Sequence, residues 1–206
     1  MDFPRLIKIR QHFSGPVVED IDGVVAEQLS RAGLDDKVKQ GTRIAITAGS
    51  RGIANIAVII RATVRELKNR GAVPFIVPAM GSHGGATAEG QVEVLHSLGV
   101  TEQFCGAPIL SSMEVVPVGE TPEGMPVYVD KNAMEADGII VMGRVKVHTD
   151  FKSPIGIESG LMKMAAIGWG NTSRPCLFTV TAFTGFATLC RKWQRLCCKR
   201  RISFAE

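Results

Sequence analysis

Apolar runs bounded by polar, glycine-containing turns alternate with amphipathic segments along most of the chain. The run at 43–48 (RIAITA) has the continuous apolar character of a buried strand. Residues 54–71 follow with the spacing of an amphipathic helix, and residues 72–80 and 87–99 repeat the strand and helix order. Continuous apolar strands are typical of parallel sheets that are covered on both faces. We therefore predict an α/β fold, with a mostly parallel sheet flanked by helices.

The remaining segments add shorter elements to this pattern. Thr87 is suited to cap the helix at 87–99, and Gly99 is suited to end it. The other predicted elements are a helix over 17–34, short strands at 113–119 and 125–130 joined by a turn at 120–124, a buried strand over 136–148 and a short helix over 158–168.

Polar residues directly follow three of the predicted strands. Gly-Ser-Arg-Gly (49–52) follows the first, Gly-Ser-His-Gly-Gly (81–85) the second, and a segment rich in ionisable residues (144–152) a later one. In parallel sheets the carboxyl ends of the strands lie along one edge, where ligands bind. We therefore expect the three segments to face one crevice.

Composition narrows the class of protein. The chain has 206 residues, of which 45% are apolar and 21% charged, as in a soluble globular domain with its own core. No uninterrupted apolar stretch reaches the roughly 18 residues of a membrane-spanning helix, and the N-terminus lacks the apolar core of a signal peptide. We expect a cytoplasmic protein that has no membrane partner.

The charge of the chain is unevenly distributed. Residues 172–206, here called the tail, hold seven of the 24 basic residues and one of the 20 acidic ones. The net charge is therefore −2 for residues 1–171 and +6 for the tail. Because the excess of positive charge is confined to the tail, it is no evidence for nucleic-acid binding. Four of the five cysteines also lie in the tail, without the spacing of a zinc site, and we predict free thiols.

Two of the polar segments carry candidate site residues. In the turn at 49–52, backbone N–H groups and the side chain of Arg51 would suit binding of an anion. The alternative is a glycine-rich turn with a solvated arginine, which has the same sequence. His83 would suit proton transfer near neutral pH. The alternative is that His83 caps the helix that begins near Thr87. The glycines around His83 favour a site, because they allow close backbone approach.

Two further candidates follow the later strand. His148 lies among arginine, lysine, threonine and aspartate residues, a combination that suits a carboxylate or phosphate ligand but also a solvated loop. Lys163 has apolar neighbours that would lower the pKa of its amine and make it nucleophilic. An exposed lysine on a short helix is the alternative.

Three motifs in this order resemble the nickel-dependent lactate racemase family, the LarA-like proteins. They are MGSHGGATAEGQ, ADGIIVMGRVKVHTDFK and IESGLMKMAAIG, and the resemblance covers roughly residues 15–171. It implies the N-terminal one of two α/β domains, with the active site in the cleft between them. It also implies a nickel-pincer nucleotide as cofactor, which takes a hydride from C2 of a 2-hydroxy acid and returns it on the other face.

The resemblance also implies roles for individual residues. His83 and His148 match the two catalytic acid/base histidines, which serve opposite faces of the substrate. Lys163 matches the lysine that tethers the cofactor. No residue here is assigned as a metal ligand, because the family's nickel-ligating histidine follows that lysine and no histidine follows His148.

The turn at 49–52 departs from the family pattern. Arg51 matches an arginine of the strand-end motif, and Ser50, Arg51 and Gly52 are the predicted cofactor-binding turn. The acidic residue that the racemases carry just before that arginine is absent, since Ala48, Gly49 and Ser50 stand there. This difference favours a 2-hydroxy acid other than lactate.

The resemblance ends where the tail begins. We predict a LarA-like N-terminal domain over residues 1–171 and a divergent basic, cysteine-rich tail over 172–206, explained by truncation or a change of reading frame. The apolar stripe of a basic amphipathic helix within the tail is the alternative, and would suit a membrane surface or a partner. With the nickel ligand and the opposing domain missing, we expect weak racemase activity or none.

Two other functions remain open from the residues themselves. The first is a nucleotide-binding α/β module that uses the turn at 49–52 as its phosphate loop and has no nickel chemistry. The second is an interaction protein that acts through its basic tail.

Overall fold

The computed structural model describes residues 7–12, 15–50, 52–120, 126–144, 160, 164 and 203–204. The helices are α1 (Ile21–Arg31), α2 (Leu34–Lys37), α3 (Ile56–Asn69), α4 (Ala88–Ser97), α5 (Glu102–Cys105) and α6 (Lys131–Met134), with a 3-10 turn at Gly84–Ala86. The strands are β1 (Arg43–Ala48), β2 (Val73–Pro78), β3 (Val115–Glu120), β4 (Pro126–Asp130), β5 (Gly138–Val141) and β6 (Ser203–Phe204).

The main sheet is parallel and has β1 near its centre. The strand order is β2-β1-β5-β6, and each adjacent pair runs in parallel. β1 pairs along its whole length with β2, from Arg43 opposite Val73 to Ala48 opposite Pro78. The predicted α/β fold with a mostly parallel sheet flanked by helices is thus confirmed.

Alternating side chains of the strands enter two separate cores. In β1, Ile44 and Ile46 lie in a core with residues of α1, α3 and α4, whereas Ala45 lies in a second core on the opposite face. Ile140 and Ile139 of β5 divide between the two cores in the same way. Because neighbouring side chains of a strand point to opposite faces, burial of both faces requires the continuous apolar runs seen in the sequence.

In the described part of the chain, an antiparallel hairpin covers the second core. β3 and β4 pair from Val115 opposite Asp130 to Glu120 opposite Pro126, with a register shift between Pro117 and Gly119. Val129 of β4 is buried in the second core together with α6. The two strands predicted around the turn at 120–124 are confirmed as this hairpin.

The bounds of several elements differ from the predicted ones. The helix predicted over 17–34 is α1 over Ile21–Arg31, and the strand predicted over 136–148 ends at Val141 as β5. The four-residue helices α2, α5 and α6 were not predicted, because one turn is too short to show a period. Most of the helix predicted over 158–168 and most of the tail lie outside the described residues, so the division at residue 171 stays a prediction.

Local capping chemistry agrees with the sequence at two helix ends. The Thr87 hydroxyl accepts a hydrogen bond from the Gly90 N–H at 3.1 Å, as expected for the N-cap of α4. Gly99 follows α4 with a φ of +78°, and its N–H donates to the His96 carbonyl. No helix in the described part of the chain combines the length and apolar character that crossing a membrane requires.

Candidate functional site

The polar segments that follow β1, β2 and β5 leave the same edge of the sheet. The three strands are parallel and β1 lies between the other two, so the residues after β1 adjoin both neighbouring segments. This edge is the place where ligands bind in open parallel sheets. The three segments therefore begin at one edge of the sheet, and their facing a common crevice stays a prediction.

Ser50 and His83 join the ends of β1 and β2 directly. The Oγ atom of Ser50 forms a hydrogen bond with the Nδ1 atom of His83 across the two loops. Ser50 is half-buried and His83 is exposed, so the ring lies at the open side of the edge. The side chain of His83 makes no capping bond to the 3-10 turn that follows it, and Thr87 caps α4 instead. This arrangement disfavours the helix-cap explanation of His83.

The loop that carries His83 is held from both sides. The N–H of His83 donates to the Met80 carbonyl at 3.3 Å, which closes a tight turn after β2. The Nε2 atom of Gln91, a fully buried residue of α4, donates to the Gly81 carbonyl at 2.9 Å. A side chain from the helix core thus anchors the loop, and so restricts where the imidazole lies.

Glycines let this loop pack directly on α4. A Cβ atom added to Gly84 would lie 2.5 Å from the carbonyl carbon of Gly90 and 2.6 Å from the Gln91 nitrogen. Gly84, Gly85 and Ala86 all have positive φ angles, of 67°, 67° and 56°. From the sequence, the glycines were expected to let a ligand come close to the backbone. At Gly84 the neighbour that comes close is the backbone of α4, whereas a Cβ atom added to Gly85 would meet nothing within 4 Å.

The end of β5 is fastened to β1 by a side chain. Thr47 is fully buried, and its hydroxyl accepts a hydrogen bond from the Met142 N–H at 2.8 Å. This bond continues the contact between the two strands one residue beyond Val141. Arg144, the last described residue of this segment, is exposed and adds positive charge to the same edge.

Met164 lies against the ends of β1 and β5. A Cβ atom added to Gly49 would lie 3.0 Å from the Cε atom of Met164, and one added to Gly143 would lie 3.5 Å away. The Met164 N–H also donates to the Gly160 carbonyl at 3.1 Å. The chain after β5 therefore returns to the candidate site at Met164, and the two glycines leave room for that side chain.

A small apolar cavity lies below this edge. Its volume is about 100 Å³, and Thr47, Gly49, Ile53, Ile60 and Met142 are among its lining residues. Ile53 precedes α3 and Ile60 belongs to it, so the cavity separates the first turns of that helix from the strand ends. Only Thr47 contributes a side-chain polar group among these five residues, which suits an apolar occupant.

The turn at 49–52 is less closely joined to a helix than the sequence indicated. α3 begins at Ile56, two residues after the predicted start, so Ile53 to Asn55 separate Gly52 from the helix. Gly52 is exposed, and a Cβ atom added there would meet nothing within 4 Å. An anion at this turn would be held chiefly by the turn itself, because the field of a helix falls off within its first turn.

Three of the predicted site residues lie outside the described residues. These are Arg51, His148 and Lys163, so His83, Ser50 and Gly52 are the predicted site residues whose positions are known. Within the described ranges, no three histidine, cysteine, aspartate or glutamate side chains are grouped as metal ligands.

The sequence matches the family described as lactate racemase N-terminal domain, over residues 10–152. The match spans more than half of the chain and includes the ends of β1, β2 and β5. The chain belongs to the lactate racemase N-terminal domain family. No curated protein sequence matches the chain. The predicted family membership is thus confirmed. His83 lies at the carboxyl edge of the sheet in this lactate racemase N-terminal domain.

Three supporting residues of this lactate racemase N-terminal domain were not found from the sequence. They are Thr47, Gln91 and Met164, which fasten the segments after β5 and β2. Gln91 could have been noticed, because it shares a helix face with the buried Leu95 four residues later. A polar side chain on an apolar helix face is buried only when it has hydrogen-bond partners.

Proposed function

We propose that this domain takes part in the racemisation or epimerisation of a small 2-hydroxy acid at the carboxyl edge of its sheet. The observation that carries the proposal is the Ser50–His83 hydrogen bond, which brings a proton-transfer group to this edge in a lactate racemase N-terminal domain. The Arg144 side chain exposed at the same edge favours an anionic ligand such as a carboxylate.

His83 would move the hydroxyl proton of the substrate. The ring nitrogen that faces the substrate would accept this proton as the C2 carbon becomes a ketone, and would donate a proton there when the reverse reaction reduces the ketone. A histidine suits both directions, because its ordinary pKa lies near neutral pH. We propose that His148 serves the opposite face of the flat keto acid, since inversion requires proton transfer on both faces.

The described residues fit a cofactor attached at Lys163. Met164, the next residue along the chain, contacts Gly49 and Gly143 at the same edge as His83. We propose that Lys163 tethers the nucleotide, and that Arg51 and Gly52 hold its phosphate. When bound, a nickel-pincer nucleotide would supply a hydride acceptor, which avoids removal of a weakly acidic C–H proton beside a carboxylate.

Intact-mass measurement tests the cofactor part of this proposal. The 206-residue chain is produced together with the enzymes that make the nickel-pincer nucleotide, and its mass is compared with that of a Lys163→Arg variant. We expect a nucleotide-sized adduct that the variant lacks, and that maps to Lys163 after proteolysis. A Lys152→Arg variant is the matched control and should keep the adduct.

Interconversion of enantiomers tests the reaction itself. A panel of single enantiomers of small 2-hydroxy acids is incubated with the loaded chain, and the opposite enantiomer is measured by chiral chromatography. Slow formation of that enantiomer, lost in Lys163→Arg, supports the proposal and agrees with the weak activity expected from the sequence. Binding of plain nucleotides without an adduct or turnover would contradict it and favour the nucleotide-binding module.

A further inference from the structure

The small apolar cavity below the sheet edge lies between the carboxyl ends of β1 and β5. The two strands pair as far as Ile46 opposite Ile140. Beyond that pair the Thr47 hydroxyl joins the strand ends, because it accepts from the Met142 N–H at 2.8 Å and donates to the Met142 carbonyl at 3.4 Å. Residues of both strand ends, together with the beginning of α3, line the cavity.

This place in the sheet is one where ligands are expected. The chain leaves β1 toward α3, which packs in the core on one face of the sheet. Met164, which follows β5 in the sequence, packs against the second core on the opposite face. In open parallel sheets, ligands bind between neighbouring strands whose continuations run to opposite faces. The cavity therefore lies at the switch point of this sheet.

The cavity offers mainly hydrocarbon to an occupant. Its volume is about 100 Å³, and its lining residues include four isoleucines, Ile53, Ile56, Ile59 and Ile60. The one polar side chain in the lining, that of Thr47, has its hydroxyl engaged with the backbone of Met142. A polar group placed there would give up hydrogen bonds to water, and the lining has no charged or amide side chain to replace them.

The cavity adjoins the proposed reacting site. Gly49 lines it, and the next residue, Ser50, forms a hydrogen bond with His83. Consecutive Cα atoms lie about 3.8 Å apart, so the wall of the cavity is within a few ångströms of this contact between the two loops. Met142 and Gly143 are half-buried, so the lining also reaches the surface.

We propose that this cavity receives the side chain on C2 of the substrate, and that the substrate is a 2-hydroxy acid with a short alkyl side chain. This inference rests on the proposed function and names its substrate class. A cavity of about 150 Å³ binds benzene, which has six carbons, so about 100 Å³ corresponds to roughly four carbons. Methyl to butyl side chains fit, whereas a benzyl group is too large and a hydroxymethyl group is too polar.

Isoleucine methyl NMR tests this inference without catalysis. The full 206-residue chain is labelled with ¹³C at its isoleucine δ1 methyl groups and titrated with 2-hydroxy acids whose side chains run from methyl to hexyl. We expect shift changes at Ile53, Ile56, Ile59 and Ile60. The Kd should fall about fourfold for each added carbon up to roughly four carbons, as burial of a methylene predicts, and longer side chains should bring no further gain.

A pair of ligands and a pair of variants serve as controls. The compound with a hydroxymethyl side chain matches the one with an ethyl side chain in size and should bind more weakly. Ile53→Ala enlarges the cavity and should move the limit to longer side chains by about two carbons. Ile109→Ala, at a half-buried isoleucine beside β2, should leave the limit unchanged.

Several results would overturn the inference. They are Kd values that do not depend on side-chain length, shift changes confined to other isoleucines, absence of binding throughout the series, and equal binding of the ethyl and hydroxymethyl compounds. If Ile53→Ala does not fold, the series measured with the wild-type chain decides.

The outcome is separable from the racemase proposal. Length-dependent binding without an adduct or turnover in the loaded chain would refute the proposed function and leave the cavity as a binding site for short aliphatic 2-hydroxy acids. Turnover with no dependence of binding on side-chain length would refute the role of the cavity alone.

Discussion

At His83 the backbone and the side chain are held by different neighbours. The backbone N–H closes a turn on Met80, whereas the ring reaches Ser50 at the end of another strand. Gln91 holds the loop between these contacts by its bond to Gly81. The orientation of one exposed imidazole thus depends on a buried amide and on a hydroxyl from the loop after β1.

The first prediction concerns His83 itself. His83→Asn keeps a polar side chain but removes the imidazole that is proposed to transfer the proton. Because the expected activity of this chain is weak, we expect the substitution to reduce enantiomer interconversion below detection, as loss of a general acid–base group usually costs about 100-fold or more. His96→Asn, at an exposed position of α4, is the control and should retain activity. Equal activity of the two variants would show that His83 takes no part in the reaction.

The second prediction concerns the anchor of the loop. Gln91→Ala removes the donor to the Gly81 carbonyl and leaves a space in the core. We expect the free energy of unfolding to fall by about 1–3 kcal/mol, the cost of leaving a buried polar group without its partner. The measurement is urea denaturation followed by circular dichroism.

A matched substitution shows whether burial is the cause. Gln28→Ala alters an exposed glutamine in α1 and should change the free energy of unfolding by less than about 0.5 kcal/mol. Similar losses in Gln28→Ala and Gln91→Ala would indicate that the bond to Gly81 contributes nothing.

At the scale of elements, backbone shape decides how the loop after β2 meets α4. Gly84 and Gly85 share a φ of +67°, a conformation that other residues adopt at a cost. Only Gly84 is in backbone contact with Gly90, and a Cβ atom at Gly85 would meet nothing. A side chain at Gly85 is disfavoured by the backbone conformation alone, whereas one at Gly84 is disfavoured by that conformation and by contact with α4.

The third prediction separates these two reasons. Gly85→Ala should lower the free energy of unfolding by about 1–2 kcal/mol through its backbone conformation alone. Gly84→Ala should lose a further ~1–3 kcal/mol, because its Cβ would displace the α4 backbone. Equal losses, measured by thermal or urea denaturation, would show that the loop has room to move away from α4.

Pairs of elements distant in the sequence are also joined by charge. Arg70, which ends α3, donates from Nε to Asp35 Oδ1 of α2 at 2.7 Å and from Nη1 to Glu66 Oε2 at 2.9 Å. Ser30 of α1 donates to the other oxygen of Asp35 at 2.7 Å. The bond from Ser30 and then that from Arg70 lower the pKa of Asp35 below its ordinary value of 3.8.

At the scale of the whole molecule, the fourth prediction follows from that pKa. A carboxyl group whose pKa is lowered in the folded state stabilises the fold above pH 3.8, and the effect disappears as the pH falls through the lowered value. Asp35→Asn should therefore lower Tm at about neutral pH, and its difference from the wild type should shrink below pH 3.8. Asp36→Asn, at the adjacent exposed carboxylate, should show no such trend, and a constant gap for Asp35→Asn would contradict the prediction.

The arrangement of the whole sheet places the candidate site. β1 lies beside β2, its near neighbour in the chain, and beside β5, whose partner residues are far away in the sequence; Thr47 and Met142 are 95 positions apart. The helices cover one face and the β3–β4 hairpin covers the other. The carboxyl edge lies between these layers, and there the loops after three strands begin.

Local patterns were enough to predict the strands, the longer helices and their caps. Residues 43–48 are β1 as predicted, because burial on both faces leaves a continuous apolar run. Thr87 and Gly99 flank α4 as predicted, since capping depends on residues within one helical turn. His83 was also predicted as a site residue from its own segment, as a histidine among glycines after a strand.

The contacts that make a site of these elements depend on residues that local patterns do not connect. The order β2-β1-β5, the hydrogen bond from Ser50 to His83 and the approach of Met164 to Gly49 each join separate parts of the chain. Such contacts arise when several apolar faces are buried at once, and the shape of the packed cores selects among many pairings that look equally good locally. The pairing of Ser50 with His83 therefore appears only in the folded chain, whereas the apolar character of β1 can be read from six consecutive residues.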